Sequence, residues 1–86
     1  MVRNFIFGRL LFLYQIIALA EKDPAVLKTL RIVSTYQSPE EVVLMLVIAF
    51  TADLDTADIN EAITRIRESV KTAFPLVKYV IVQPEF

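Results

Sequence analysis

The sequence predicts an α+β sandwich in the order αββαβ, with two helices on one face of a three-stranded mixed sheet. Three observations carry that prediction. Residues 42–50 form an unbroken apolar run rich in β-branched side chains, the length of a strand buried on both faces and therefore central. Ile59, Ala62, Ile63, Ile66, Val70 and Ala73 recur at helical spacing and make one apolar stripe. Shorter apolar segments at 27–36 and 77–82 lie either side of that strand and helix and read as further strands. At 86 residues the chain holds one domain. A domain of that size buries only about 60–65% of its unfolded surface, so its core must be rich. With 56% of residues apolar, it is.

The elements follow in order. Residues 1–8 are expected to be an N-terminal tail and 9–86 the domain. A first helix is expected over 9–22, built from good helix formers and stopped by Pro24, which keeps Asp23 out of helical dihedrals. It is apolar nearly all round, so it should be covered on more than one face. In 27–36, Leu30, Ile32 and Ser34 alternate with Arg31, Val33 and Thr35. Gln37-Ser38-Pro39-Glu40-Glu41 is a turn-forming run, so the first two strands should pair as an antiparallel hairpin. The second helix starts with Asp55 as N-cap and Asp58 three residues on, where a capping box places its acid. Glu61 and Arg65 are set for an i,i+4 ion pair on its wet face, and Pro75 ends it. Strand, helix and strand then form one crossover, which leaves the second and third strands parallel. The whole is a truncated ferredoxin-like sandwich.

Composition removes most chemistry. Nine basic and ten acidic side chains give a net charge of −1, which argues against nucleic-acid binding. With no cysteine there are no disulfides, thiolate metal sites or cysteine nucleophiles. With no histidine there is no imidazole base or ligand. No serine has an available base, and the single glycine, Gly8, cannot form a phosphate loop. An enzyme is not expected. The apolar segment near the N-terminus falls short of a membrane span because Gly8, Arg9 and Gln15 interrupt it. Ala18-Leu19-Ala20 resembles a signal cleavage site, but cleavage there would remove the first helix. A buried or interfacial helix is the better account.

Asp53, Asp55 and Asp58, with Glu61 nearby, are the candidate metal ligands, since carboxylates suit hard cations. The plainer account is that acids belong at a helix N-terminus, where they cap amides and meet the positive end of the dipole. Tyr36, Gln37 and Ser38 could serve recognition at the hairpin tip, yet turn chemistry alone accounts for them. Arg65, Arg67, Lys71 and Lys78 are interspersed with acids and read as a solvated face.

Asp23-Pro24-Ala25-Val26, Ser38-Pro39-Glu40-Glu41-Val42 with its long apolar strand, and Leu54-Asp55-Thr56-Ala57-Asp58-Ile59 form an ordered series. Phe74-Pro75-Leu76-Val77 and Tyr79-Val80-Ile81-Val82-Gln83-Pro84-Glu85 complete it. In order and spacing this series resembles the C-terminal cytoplasmic domain of cation diffusion facilitator transporters, over about residues 10–86. The resemblance implies a ferredoxin-like αββαβ fold, a homodimer on the cytoplasmic side of the cell membrane, and a dimerisation or regulatory role. It also implies a transmembrane transporter partner that moves a divalent cation such as Zn²⁺. In many members the domain binds divalent metal. The family's metal-binding histidines have no counterpart here, where Tyr36, Gln37, Leu46 and Val82 stand instead. No cofactor is therefore expected in this domain. The rival is a small-molecule-binding regulatory module of the ACT type, which would want a strand before the first helix.

Overall fold

A computed structural model describes residues 2–38 and 41–85 of the chain, with side chains over 10–38 and 41–85. Five elements occur in the expected order: α1 (Val2–Glu21), β1 (Val26–Ser38), β2 (Glu41–Phe50), α2 (Thr56–Ala73) and β3 (Val77–Glu85). The sheet order is β1-β2-β3, with β1 antiparallel and β3 parallel to β2. Among the described residues no strand precedes α1, so the extra strand an ACT-type module would want is not seen.

Helix α1 begins before the expected start at residue 9, so residues 2–8 continue the helix instead of forming a tail. Gly8 costs only about 1 kcal/mol against alanine, and no proline lies upstream, so turns already formed propagate through it. At its other end the Asp23 carboxylate accepts from the Ala25 amide at 3.0 Å, and the Val26 amide donates to the Asp23 carbonyl. That local turn, with Pro24 inside it, delivers the chain into β1. Strand β1 extends to Ser38, where it pairs with Glu41, so the polar run 37–41 is largely strand at both ends. Pro39 and Glu40, the middle of the proposed recognition loop, lie outside the described residues.

The N-terminus of α2 forms as its residues dictate. The Asp55 carboxylate accepts from the Asp58 amide at 2.8 Å, and the Asp58 carboxylate accepts from the Asp55 amide at 3.2 Å. This reciprocal pair satisfies two amides the helix leaves open. At the other end the Phe74 amide donates to Val70, and Pro75 prevents continuation.

The core lies between the helices and one face of the sheet. Val42, Leu44, Leu46 and Ile48 of β2 meet Ile16 and Ala20 of α1, Ile66 and Val70 of α2, and Val77 and Val80 of β3. Phe12 and Phe74 stack edge-to-face at 5.1 Å on its margin and join the two helices. Three expectations fail here. Strand β2 is not buried on both faces: Val43, Met45, Val47 and Ala49 alternate with the core residues and stay half-buried. Helix α1 is not covered all round, since Leu10, Leu11 and Tyr14 are exposed. On α2, Ile66 is buried but Ile63 is only half-buried and Ala73 is exposed, because the stripe is wider than the surface that receives it.

Candidate functional site

Each of the three acids singled out as a metal ligand has a backbone task in this structure. Asp55 and Asp58 are the two halves of the capping box. Asp53 takes φ = 68°, the left-handed region, in the turn between β2 and α2. Aspartate tolerates that region better than most residues because its short polar side chain bonds locally. Among the described residues no group of three or more carboxylates could hold a metal ion together.

The positions where the family resemblance would put histidines do not converge on one site. Leu46 and Val82 are register partners, but they lie on the helix-covered face and Leu46 is fully buried. Tyr36 pairs with Val42, four residues along β2 from Leu46. A divalent metal, which the resemblance implies, finds neither imidazole nor thiolate nor a carboxylate cluster among these side chains. The residues present do not fit it.

The feature that stands out is the other face of the sheet. Register partners share a face, so the rows across it can be read off directly. Thr35, Val43 and Tyr79 make one row; Val33, Met45 and Ile81 the next. Below them come Arg31, Val47 and Gln83, then Lys28, Ala49 and Glu85. Neither helix packs on this side, and Tyr79 and Ile81 stay 63% and 52% exposed. Strands about 4.8 Å apart and rising about 3.3 Å per residue give this face roughly 300 Å². The upper two rows are apolar apart from Thr35, and the lower two carry Arg31, Lys28 and Glu85 at their edges, so the face is apolar at one end and charged at the other. Its area is about that of the largest apolar patch an ordinary monomer exposes.

Sequence spacing did not reveal one further contact. Arg65 feels the charge of Glu61 along its own helix but makes its hydrogen-bonded ion pair elsewhere. It donates through Nε and one Nη to both carboxylate oxygens of Asp23, at 2.8 and 2.9 Å. That hydrogen bond holds the Asp23 carboxyl below its ordinary range. The pair clamps the end of α1 against α2 beside an open groove of about 830 Å³ that also includes Leu19, Lys22 and Ile66. Asp23 and Arg65 neutralise each other at its rim, and Lys22, Glu68, Ser69 and Thr72 also line it. The Glu21 carboxylate accepts from the Thr29 amide at 2.9 Å, beside a register shift in β1.

No protein-family model matches the sequence, and no curated protein sequence does. Solved structures do. A variant of the MamM C-terminal domain in its nickel form superposes with a TM-score of 0.79 and 15% identity, covering 86% of this chain and 92% of that one. A second variant, in its cadmium form, gives 0.83 and 14% over 91% and 95%. A third, with a histidine replaced by glutamate, gives 0.83 and 14% over 91% and 94%. The fold is that of a cation diffusion facilitator C-terminal domain. On that fold the open sheet face leaves Tyr79 and Ile81 exposed, and the expected αββαβ sandwich is realised element by element.

Proposed function

We propose that this chain is the cytoplasmic dimerisation and regulatory domain of a divalent metal cation efflux transporter, or a stand-alone relative of one. The likeness in fold over 86–91% of the chain supports it, together with the ordered motif series in the sequence. The open face of β1, β2 and β3 supplies the dimer contact. Two copies related by a two-fold axis set Tyr79, Ile81, Met45 and Val33 against one another, which removes apolar surface that the two helices leave wet. The domain acts as a support beneath the membrane and not as the metal sensor, since its sheet offers neither imidazole nor thiolate. Transport of the cation belongs to the transmembrane partner.

Crosslinking tests the dimer. The chain has no cysteine, so Tyr79→Cys introduces a single thiol on the exposed part of the face. A short bis-maleimide should join two copies of that variant and should not join copies of Arg67→Cys, on the exposed side of α2. Equal yields from both would remove the sheet face from the account. Calorimetric titration tests the metal: zinc should bind no tighter than about 10 μM, the weak end of the usual scale. Asp53, Asp55 and Asp58 are the carboxylates to replace first if a tight, one-per-chain zinc event is seen. Upstream coding sequence carrying several membrane-spanning segments would identify the transporter partner.

A further inference from the structure

The open sheet face carries its charges in an order that complements itself. In its lowest row Lys28 stands on β1 and Glu85 on β3, with the small Ala49 between them on β2. One row up, Arg31 lies across β2 from Gln83. Strand β1 therefore holds the basic edge of the face and β3 the acidic one. All three charged side chains are exposed, and none makes an ion pair among the described residues.

We propose that a second copy sits on this face with the two-fold axis parallel to β2, so that Lys28 of each chain pairs with Glu85 of the other. The orientation rests on the sheet-face dimer proposed above and goes beyond it. A two-fold between packed sheets lies in the plane of their contact. Rotation about the direction of β2 keeps every residue in its row and exchanges the edges, so β1 faces the other copy's β3. Lys28 then meets Glu85, Arg31 meets Gln83, Val33 meets Ile81, and Met45 meets its own copy near the axis. Sheets packed face to face lie about 10 Å apart, a gap that a lysine and a glutamate side chain bridge together. Strands of the two copies run within about 30° of each other, the aligned packing of twisted sheets.

An axis across the strands does worse on both charge and contact. It sets β1 against β1 and β3 against β3. Centred on the face, it lays Arg31 on Val33 and Glu85 on Tyr79, and no basic side chain meets an acidic one. Shifted to the apolar end, it engages only two of the four rows. The whole face is only roughly 300 Å². A standard interface buries about 800 Å² per partner, so a register that leaves half the rows idle gives up contact the dimer needs. Opposite charges at the edges are the kind of feature that fixes register between partners.

Charge reversal in mixed chains tests it, with sedimentation equilibrium reading the dimer constant. Each dimer holds the Lys28–Glu85 contact twice, so Lys28→Glu alone and Glu85→Lys alone should each weaken self-association about tenfold. Both side chains are exposed, so circular dichroism should be unchanged. An equimolar mixture of the two variants should associate within about twofold of wild type, because both contacts of the mixed dimer again join opposite charges. An effect confined within one chain would not be rescued by mixing. Arg67→Glu, on the exposed side of α2, changes the net charge as Lys28→Glu does and should leave association unchanged. Reversals without effect, or a mixture as weak as its components, overturn the orientation; if Ile81→Glu still abolishes the dimer, the sheet face stands without it. A wild-type chain that stays single at every concentration overturns the dimer and the orientation together.

Discussion

Truncating Ile66 to alanine removes a side chain that is 2% exposed and part of the cluster joining α2 to β2. Three carbons' worth of burial at about 0.8 kcal/mol each gives about 2.4 kcal/mol. The cavity left in a close-packed core raises the loss to about 3–4 kcal/mol. In a domain of this length that lowers the thermal midpoint by roughly 12–30 °C. Ile63 lies one turn earlier on the same helix but is half-buried and outside the core cluster, so the same truncation there should cost only about 1 kcal/mol. Urea denaturation followed by far-ultraviolet circular dichroism, at one fixed protein concentration because a dimer's stability depends on it, measures both. Equal losses for the two variants would mean that α2 is rotated from its described register. A cost below about 1 kcal/mol for Ile66→Ala would mean that the core is not where it is placed.

Three further perturbations separate the remaining roles. Replacing Asp53 by alanine should destabilise by about 1 kcal/mol, because a Cβ with no compensating bond is strained at φ = 68°, while Asp53→Gly should be neutral or stabilising. Both lose the carboxylate, so equal damage would point to a ligand role for Asp53. The Asp23 carboxyl is held below its ordinary value by the hydrogen bond from Arg65, so its stabilisation is present above about pH 4 and is lost as pH falls through the lowered value. Asp23→Asn should flatten the fall in urea midpoint below about pH 4, and an unchanged acid limb would deny the clamp any part in stability. The Thr29 hydroxyl is buried without a partner, so Thr29→Val should be neutral or gain up to about 1 kcal/mol in thermal unfolding. A loss larger than that would show the hydroxyl is bonded.

The parts of this structure visible in the sequence are those decided locally. The capping box at Asp55 and Asp58 needs only residues three apart, and Pro24 and Pro75 stop their helices wherever the rest of the chain lies. The αββαβ order follows from runs whose period is set by the backbone. What escaped depended on contacts between distant segments. A run of nine apolar residues has no period, so 42–50 could not reveal that only its even positions lie under helices. The left-handed turn at Asp53 carries no glycine to announce it. Arg65 has an acid one turn back along its helix, yet pairs with Asp23, 42 residues away, because folding presents both oxygens of that carboxylate at once. The exposed side of α1 escaped for the same reason: apolarity all round implies cover, and only packing shows which side receives it.

The central claim is that the uncovered face of the sheet, on which Tyr79 and Ile81 stand exposed, is closed by a second copy of the chain. Light scattering behind size-exclusion chromatography, over rising protein concentration, tests it most directly. Wild type should reach twice the 9.8 kDa chain mass, and Ile81→Glu should stay at one chain mass with unchanged circular dichroism, since Ile81 is 52% exposed and outside the core cluster. A wild-type chain that remains at one chain mass at high micromolar concentration, or an Ile81→Glu variant that dimerises as wild type does, would contradict the account.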